Sequence, residues 1–356
     1  MNHTNMFHLY YLIVNDIREE KYNGLSHVAE HTLLFPSEEV LQFWGKGRTY
    51  LNHVCLYYTC DSLEVLKEVD RQIINGEIIT NINVDCAKQQ VIEEIKNLEK
   101  DTHIKHQIVG FITDDRIQRF SIGNIEQVSS IQTEDVYHWF RDKQQKGYIF
   151  RYLFQNAHQM ILSTPVPADI IDQKILNMNQ IDSTVADRIF WVNPDADATV
   201  IKLYLKVKML YKKEDIIKKA FYEYCIQKKI KDTLAIDVLI NDEYFDANER
   251  FSVLSFPWNN ESRVTDSLNK IRQTIRNISV AEFEEYKAEY KMRMLDFLTL
   301  DESNFEVINK MKNYLLYGIP KVERGDLKIT DHISYNIFPI GPVKNYAQIN
   351  LQAPAE

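Results

Sequence analysis

Near the start of the chain two histidines flank a glutamate, as His27-Val28-Ala29-Glu30-His31. On a helix, positions 27, 30 and 31 fall at i, i+3 and i+4 and share one face, so two imidazoles and a carboxylate converge. Neutral imidazoles are the commonest zinc ligands, and a carboxylate one turn away can take a proton from water without itself holding the metal. The pattern points to metal-assisted hydrolysis. A catalytic zinc also needs a third protein ligand and an open position, which a carboxylate on another helix would supply. The segment 84–100 offers Glu93, Glu94 and Glu99. A plainer reading makes both histidines helix-surface residues with Glu30 as a local partner.

The elements that must position these residues follow from periodicity. A strand is expected at 7–14, then a polar turn at 15–23, then the motif helix with Ser26 or Asn23 as its cap. Tyr50 to Cys60 is rich in Tyr, Val and Leu, as a strand would be, and 62–76 reads as an amphipathic helix. Val91, Ile95 and Leu98 give 84–100 helical spacing. A further helix begins at 133 and a strand returns at 160–163. Around 181–198 the pattern weakens, with Asn193-Pro194-Asp195, into a seam between halves 1–183 and 184–356. The second half restarts with a strand at 200–207, a helix at 215–230, strands at 234–240 and 251–257, and helices at 263–277, 280–298 and 304–317. Each half mixes strands with several helices, as an α/β or α+β fold duplicated in tandem would.

Composition removes several function classes. A formal charge of −9 argues against nucleic acid as a partner, because phosphate binding needs a net basic face. Gly and Pro are few, and no phosphate-cradling glycine motif is present. Cys55, Cys60, Cys86 and Cys225 show no CxxC spacing and read as small buried hydrophobes of a reducing compartment. The early apolar run is interrupted by His8 and followed by Asp16, Arg18 and Glu19 without a small-residue cleavage site, so it reads as a strand rather than a signal peptide. No run approaches the roughly 18 to 20 apolar residues of a membrane span. A cytoplasmic location is expected.

Gly24-Leu25-Ser26-His27-Val28-Ala29-Glu30-His31, with Leu33-Leu34-Phe35 after it, resembles the inverted zinc motif of the pitrilysin, insulysin and mitochondrial processing peptidase family. Val91-Ile92-Glu93-Glu94-Ile95 resembles that family's downstream segment, whose second acidic residue is the third ligand. The resemblance implies zinc held by His27, His31 and Glu94, with Glu30 as catalytic base. Glu93, about 100° around the helix, is then a solvated charge. It also implies an α+β chain of two similar halves, each a mainly antiparallel sheet packed against several helices. Segment 280–284 through Tyr317-Gly318-Ile319-Pro320 resembles the family's closing helices. Family members bind unstructured peptides by adding a strand to a sheet edge. Asn52 to Tyr58 is the expected edge, with a plain internal strand as the alternative.

Three departures qualify the resemblance. The interval from His31 to Glu94 is shorter than usual, and the loop around Trp44 to Leu51, at the cleft rim, is where residues are missing. A supporting glutamate seven residues before the third ligand is replaced by Ala87. The Arg and Tyr with which some members' second halves clamp substrate fall on Lys229 and Ile236. An intact zinc site beside a degraded clamp implies a homologous partner subunit in a heterodimer, with a homodimer as the other arrangement. The expected substrate is a small unstructured peptide, by analogy the leader of a ribosomally made peptide. The rival reading is a non-catalytic peptide-binding or scaffolding subunit, which Ala87 and Ile236 favour and the complete His27, Glu30, His31 and Glu94 set disfavours.

Overall fold

The computed structural model describes residues 6–34, 44–50, 52–113, 122–156, 159–170, 188–189, 200–207, 213–235, 239–240, 251–257, 273–274, 277–295 and 333–340; side chains at 18, 44, 98–113, 156, 188–189, 200–207, 213–220, 222–223, 239–240, 251–257, 291, 293–295 and 333–340 are not described. The chain begins with β1 (Phe7–Val14), α1 (Leu25–Leu33), β2 (Trp44–Thr49), β3 (His53–Cys60) and α2 (Leu63–Asn75). It continues through α3 (Asn81–Thr113), α4 (Ile125–Ser130), α5 (Thr133–Gln145), β4 (Ile149–Asn156), β5 (Gln159–Ser163) and the single turn α6 (Ala168–Ile170). The remainder is β6 (Arg188–Ile189), β7 (Val200–Val207), α7 (Lys213–Leu234), β8 (Leu239–Ile240), β9 (Phe251–Pro257), α8 (Val280–Leu295) and β10 (Ile333–Ile340).

Among the described residues there are two five-stranded sheets, one ordered β2-β3-β1-β4-β5 and the other β6-β10-β7-β9-β8. The first is antiparallel throughout. The second is antiparallel except where β6 runs parallel to β10. The fold is α+β, as expected. Two compact units divide the chain, one of Met1–Thr102, Ile117–Gln180 and Arg293–Ile319, the other of His103–Arg116, Ile181–Met292 and Pro320–Glu356.

β1 is central in its sheet because its sequence is apolar on both faces, and His8 to Val14 are all buried. Its alternate residues Leu9, Tyr11 and Ile13 join Val54, Leu56 and Tyr58 of β3 in the core on the helix-covered face. Helix α1 contributes Val28, Ala29 and Leu33 to that core, and α3 contributes Val84, Ala87, Val91 and Ile95 at helical spacing. Each large apolar side chain so buried contributes roughly 1.5–3 kcal/mol.

Strands expected at 7–14, 200–207 and 251–257 form with those bounds. The expected rim loop is instead largely a strand, β2, which ends the first sheet by pairing with β3. Consequently the segment expected to be the edge is internal: β3 has β2 on one side and β1 on the other. The helix expected at 84–100 is longer at both ends, and α4, β4 and β10 were not anticipated. Of the strand expected at 234–240, Leu239–Ile240 is strand, Leu234 ends α7, and 236–238 lie outside the described residues. Helix 304–317 and Ile236 lie outside the described residues, as does almost all of 263–277.

Candidate active site

The motif helix α1 is nine residues long, and all but His31 are buried. Its N-terminus turns at Gly24, whose φ of 100° is in the left-handed region; a Cβ there would also lie 2.9 Å from Val128 Cγ2. Neither Asn23 nor Ser26 caps the helix by its side chain, contrary to expectation, because Gly24 is the capping residue. Glu20 does that work from outside the helix. Its Oε2 accepts from the Ser26 backbone N–H at 3.2 Å, and its Oε1 accepts from Asn15 Nδ2 at 2.5 Å. Asn15 Oδ1 in turn accepts from Trp139 Nε1 on α5 at 3.0 Å. Burial pushes the Glu20 carboxyl up, and the hydrogen bonds from Ser26 and Asn15 only partly offset this. At the far end, Tyr58 Oη donates to the Leu33 carbonyl at 2.7 Å.

On the face of α1 toward α3, the imidazole centroids of His27 and His31 are 4.9 Å apart. His27 Nδ1 lies 3.2 Å from the Ile122 carbonyl, and His31 Nδ1 lies 2.9 Å from Gln90 Oε1. Both partners are acceptors, so each Nδ1 carries the proton in the neutral ring and each Nε2 presents a lone pair. The two Nε2 atoms converge on Glu94, at 3.4 Å from Oε2 for His27 and 3.5 Å from Oε1 for His31. Ligand atoms of the three residues lie within 4.8 Å of one another. Donors about 2.0–2.1 Å from a tetrahedral zinc stand about 3.3 Å apart, so two neutral imidazoles and a carboxylate at these separations fit that ion. The acceptors behind both rings add the outer support such ligands require.

Glu30 is buried beside this cluster, and its Oε2 accepts from Thr49 Oγ1 on β2 at 2.6 Å. Its carboxylate lies directly on the backbone of β2. A Cβ at Gly47 would sit 2.6 Å from Glu30 Cδ, so only glycine leaves room. A cavity of about 320 Å³ opens over His27, Glu30, His31 and Glu94, with residues 45–49 of β2 forming one wall.

Burial pulls the His27 imidazole down, but the hydrogen bond to Glu94 and the charges of Glu30 and Glu94 together leave it above its ordinary 6.5. Burial likewise raises the Glu94 carboxyl, and the His27 bond with the two imidazole charges leaves it below 4.5. In the metal-free protein, the stabilisation from His27 is complete below pH 6.5 and lost as pH rises through its higher folded value. That from Glu94 is complete above pH 4.5 and lost as pH falls through its lower folded value. The Tm difference between metal-free wild type and Glu94→Gln is therefore expected to be widest between pH 4.5 and 6.5 and to narrow on both sides. A pH-independent difference in thermal melts would rule out the ion pair.

The structure thus brings His27, Glu30, His31 and Glu94 together and leaves the other expected residues elsewhere. Glu93 is exposed. Asn52 is buried away from the cavity; its Oδ1 meets His53 Nδ1 at 2.5 Å and its carbonyl accepts from Asn15 N–H. It precedes an internal strand and does not lie on the expected sheet edge. Lys229, on α7, is buried and held by Glu282 at 2.5 Å. Ala87 packs in the apolar core. Cys86 is exposed, unlike the other three cysteines and contrary to the expectation that all four are buried. Gln90, Gly47, Thr49 and the Ile122 carbonyl were not anticipated. Gln90 stands one turn before Glu94 on the same helix face, a spacing visible in the sequence.

No family model matches the chain, and no curated protein matches it. Solved structures do. A protease from Helicobacter pylori shares 12% identity over 96% of this chain and 95% of its own, with a TM-score of 0.57. The peptidase M16 inactive domain from Pseudomonas fluorescens shares 9% identity over 95% of this chain and 93% of its own, with a TM-score of 0.60. Pitrilysin shares 12% identity over 94% of this chain and 42% of its own, with a TM-score of 0.53. Identities this low speak to architecture alone, and one of these neighbours is described as inactive. Over nearly its whole length the chain has the fold of the M16 peptidases.

Proposed function

We propose that the chain is a zinc-dependent metalloendopeptidase that hydrolyses small unstructured peptides, such as the leader or precursor of a ribosomally made peptide. The observation that carries this reading is the convergence of the His27 and His31 Nε2 atoms on Glu94 beside the buried carboxylate of Glu30. His27, His31 and Glu94 would hold the ion, which supplies polarisation of the scissile carbonyl and acidification of water. Glu30 takes the proton of the attacking water and delivers it to the departing amine. Thr49 and the bare backbone at Gly47 fix the direction of that carboxylate. The peptide adds as a strand along β2, which ends the sheet among the described residues and walls the cavity.

A homologous partner subunit completes the proposal, as a heterodimer or else a homodimer. Lys229 supports it, because an ammonium already held by Glu282 is a poor substrate clamp. Four cysteines without a disulfide fit a cytoplasmic setting. No described helix is long and apolar enough to cross a membrane. The second reading, a non-catalytic peptide-binding or scaffolding subunit, is favoured by the same Lys229 pair and by the likeness to an inactive domain.

The test is metal content and hydrolysis of an unstructured fluorogenic peptide library, with the chain alone and with any homologue that co-purifies. Zinc near one per chain is expected, with cleavage falling at least about a hundredfold on chelation and returning on zinc addition. Zinc-loaded protein inert in both settings would move the assignment to the binding subunit.

A further inference from the structure

Helix α3 meets His31 at both of its ring nitrogens. Glu94 approaches Nε2 at 3.5 Å, and Gln90, one turn earlier, places Oε1 at 2.9 Å from Nδ1. The two imidazoles of the cluster are supported differently. His27 is backed by a main-chain carbonyl, that of Ile122, which no substitution removes. His31 is backed by a side chain, and an uncharged one. Gln90 is exposed on α3, so it adds little to the core, whereas Ala87, one turn before it, is fully buried among apolar residues and carries no acceptor.

Resting on the zinc reading above, we infer that Gln90 is a positioning residue that sets the tautomer and ring orientation of His31 and thereby the metal affinity of the site. Its carbonyl oxygen accepts the Nδ1 proton, which leaves the Nε2 lone pair on the side of Glu94. Without that acceptor, His31 is free to exchange tautomers and to rotate about its Cβ–Cγ bond. A ligand of that kind binds a metal more weakly, because it must be ordered as the ion arrives. A neutral amide also pushes less electron density onto the imidazole than a carboxylate would, so the site is tuned for moderate rather than maximal affinity.

The experiment is zinc competition against a chromophoric chelator for wild type, Gln90→Met and Gln90→Glu, with the visible spectrum of each cobalt-substituted protein as a second readout. Met matches the length of Gln without its acceptor; Glu keeps the acceptor and adds charge. Gln90→Met is expected to raise the zinc Kd roughly 10- to 100-fold and alter the cobalt spectrum, with Tm unchanged. Gln90→Glu is expected to bind at least as tightly as wild type. Equal affinity of wild type and Gln90→Met would overturn the role of Gln90 while leaving the zinc site standing, as would equal weakening in both variants, which would mean that shape rather than the acceptor matters. A wild-type protein that takes up no zinc would overturn the zinc reading and this inference with it.

Discussion

Replacing Glu30 by Gln is expected to lower kcat for peptide cleavage by about 10²–10⁴-fold while zinc content and Tm stay at their wild-type values. The amide keeps the size of the carboxylate, and its oxygen can still accept from Thr49 Oγ1, now 2.6 Å from the Glu30 carboxylate, so the seat against β2 is preserved. What is lost is the capacity to take up a proton. The atoms placed to bind metal belong to His27, His31 and Glu94, none of which is altered. Steady-state kinetics on a fluorogenic peptide, with metal analysis of the same samples, decides the matter. A variant that turns over at the wild-type rate would require the base to be another residue.

The next largest effect is expected on β2, at the glycine against which the Glu30 carboxylate lies. Gly47→Ala introduces a Cβ 2.6 Å from Glu30 Cδ, closer than unbonded carbons approach, and the obstacle on the other side is a carboxyl buried against the helix. Either the strand or the carboxylate must give way. A displacement of about 1 Å in a reacting group lowers turnover by roughly 10²-fold, and overpacking of this kind costs about 1–3 kcal/mol of stability. Because the damage runs through Glu30, combining Gly47→Ala with Glu30→Gln should reduce kcat little further than Glu30→Gln alone. Multiplicative losses in the double variant would mean that Gly47 matters for some other reason.

The parts of the site legible in the sequence are those whose geometry is local. His27, Glu30 and His31 share a face because helix periodicity puts i, i+3 and i+4 together, whatever the helix packs against. Glu94 is different: three glutamates of 84–100 were open by spacing, and only the resemblance to known peptidases singled one out. β2 was hidden because Gly45 and Gly47 weaken the strand signal of Trp44 to Thr49, although glycine at 47 is what lets the strand lie against Glu30. Once β2 was missed, β3 became the apparent edge and Asn52 an apparent substrate contact. Thr49 was out of reach for the same reason, since its partner depends on a strand register that no local pattern encodes. Lys229 fell on a clamp position by resemblance, but its pairing with Glu282, 53 residues away, is a tertiary fact.

Nine residues are too few for a helix to persist by itself in water, so α1 owes its existence to what surrounds it. The brace of Glu20, Asn15 and Trp139 at one end and the Tyr58 hydroxyl at the other hold it through protein groups alone. On the zinc reading, the site would be a socket built by the protein and not a fold that the metal must assemble, unlike small domains that collapse only around their zinc. A socket of that kind empties and refills without unfolding the chain around it. On the zinc reading proposed above, metal supply in the surroundings would work as a reversible throttle on the protein, with no need to destroy and remake it.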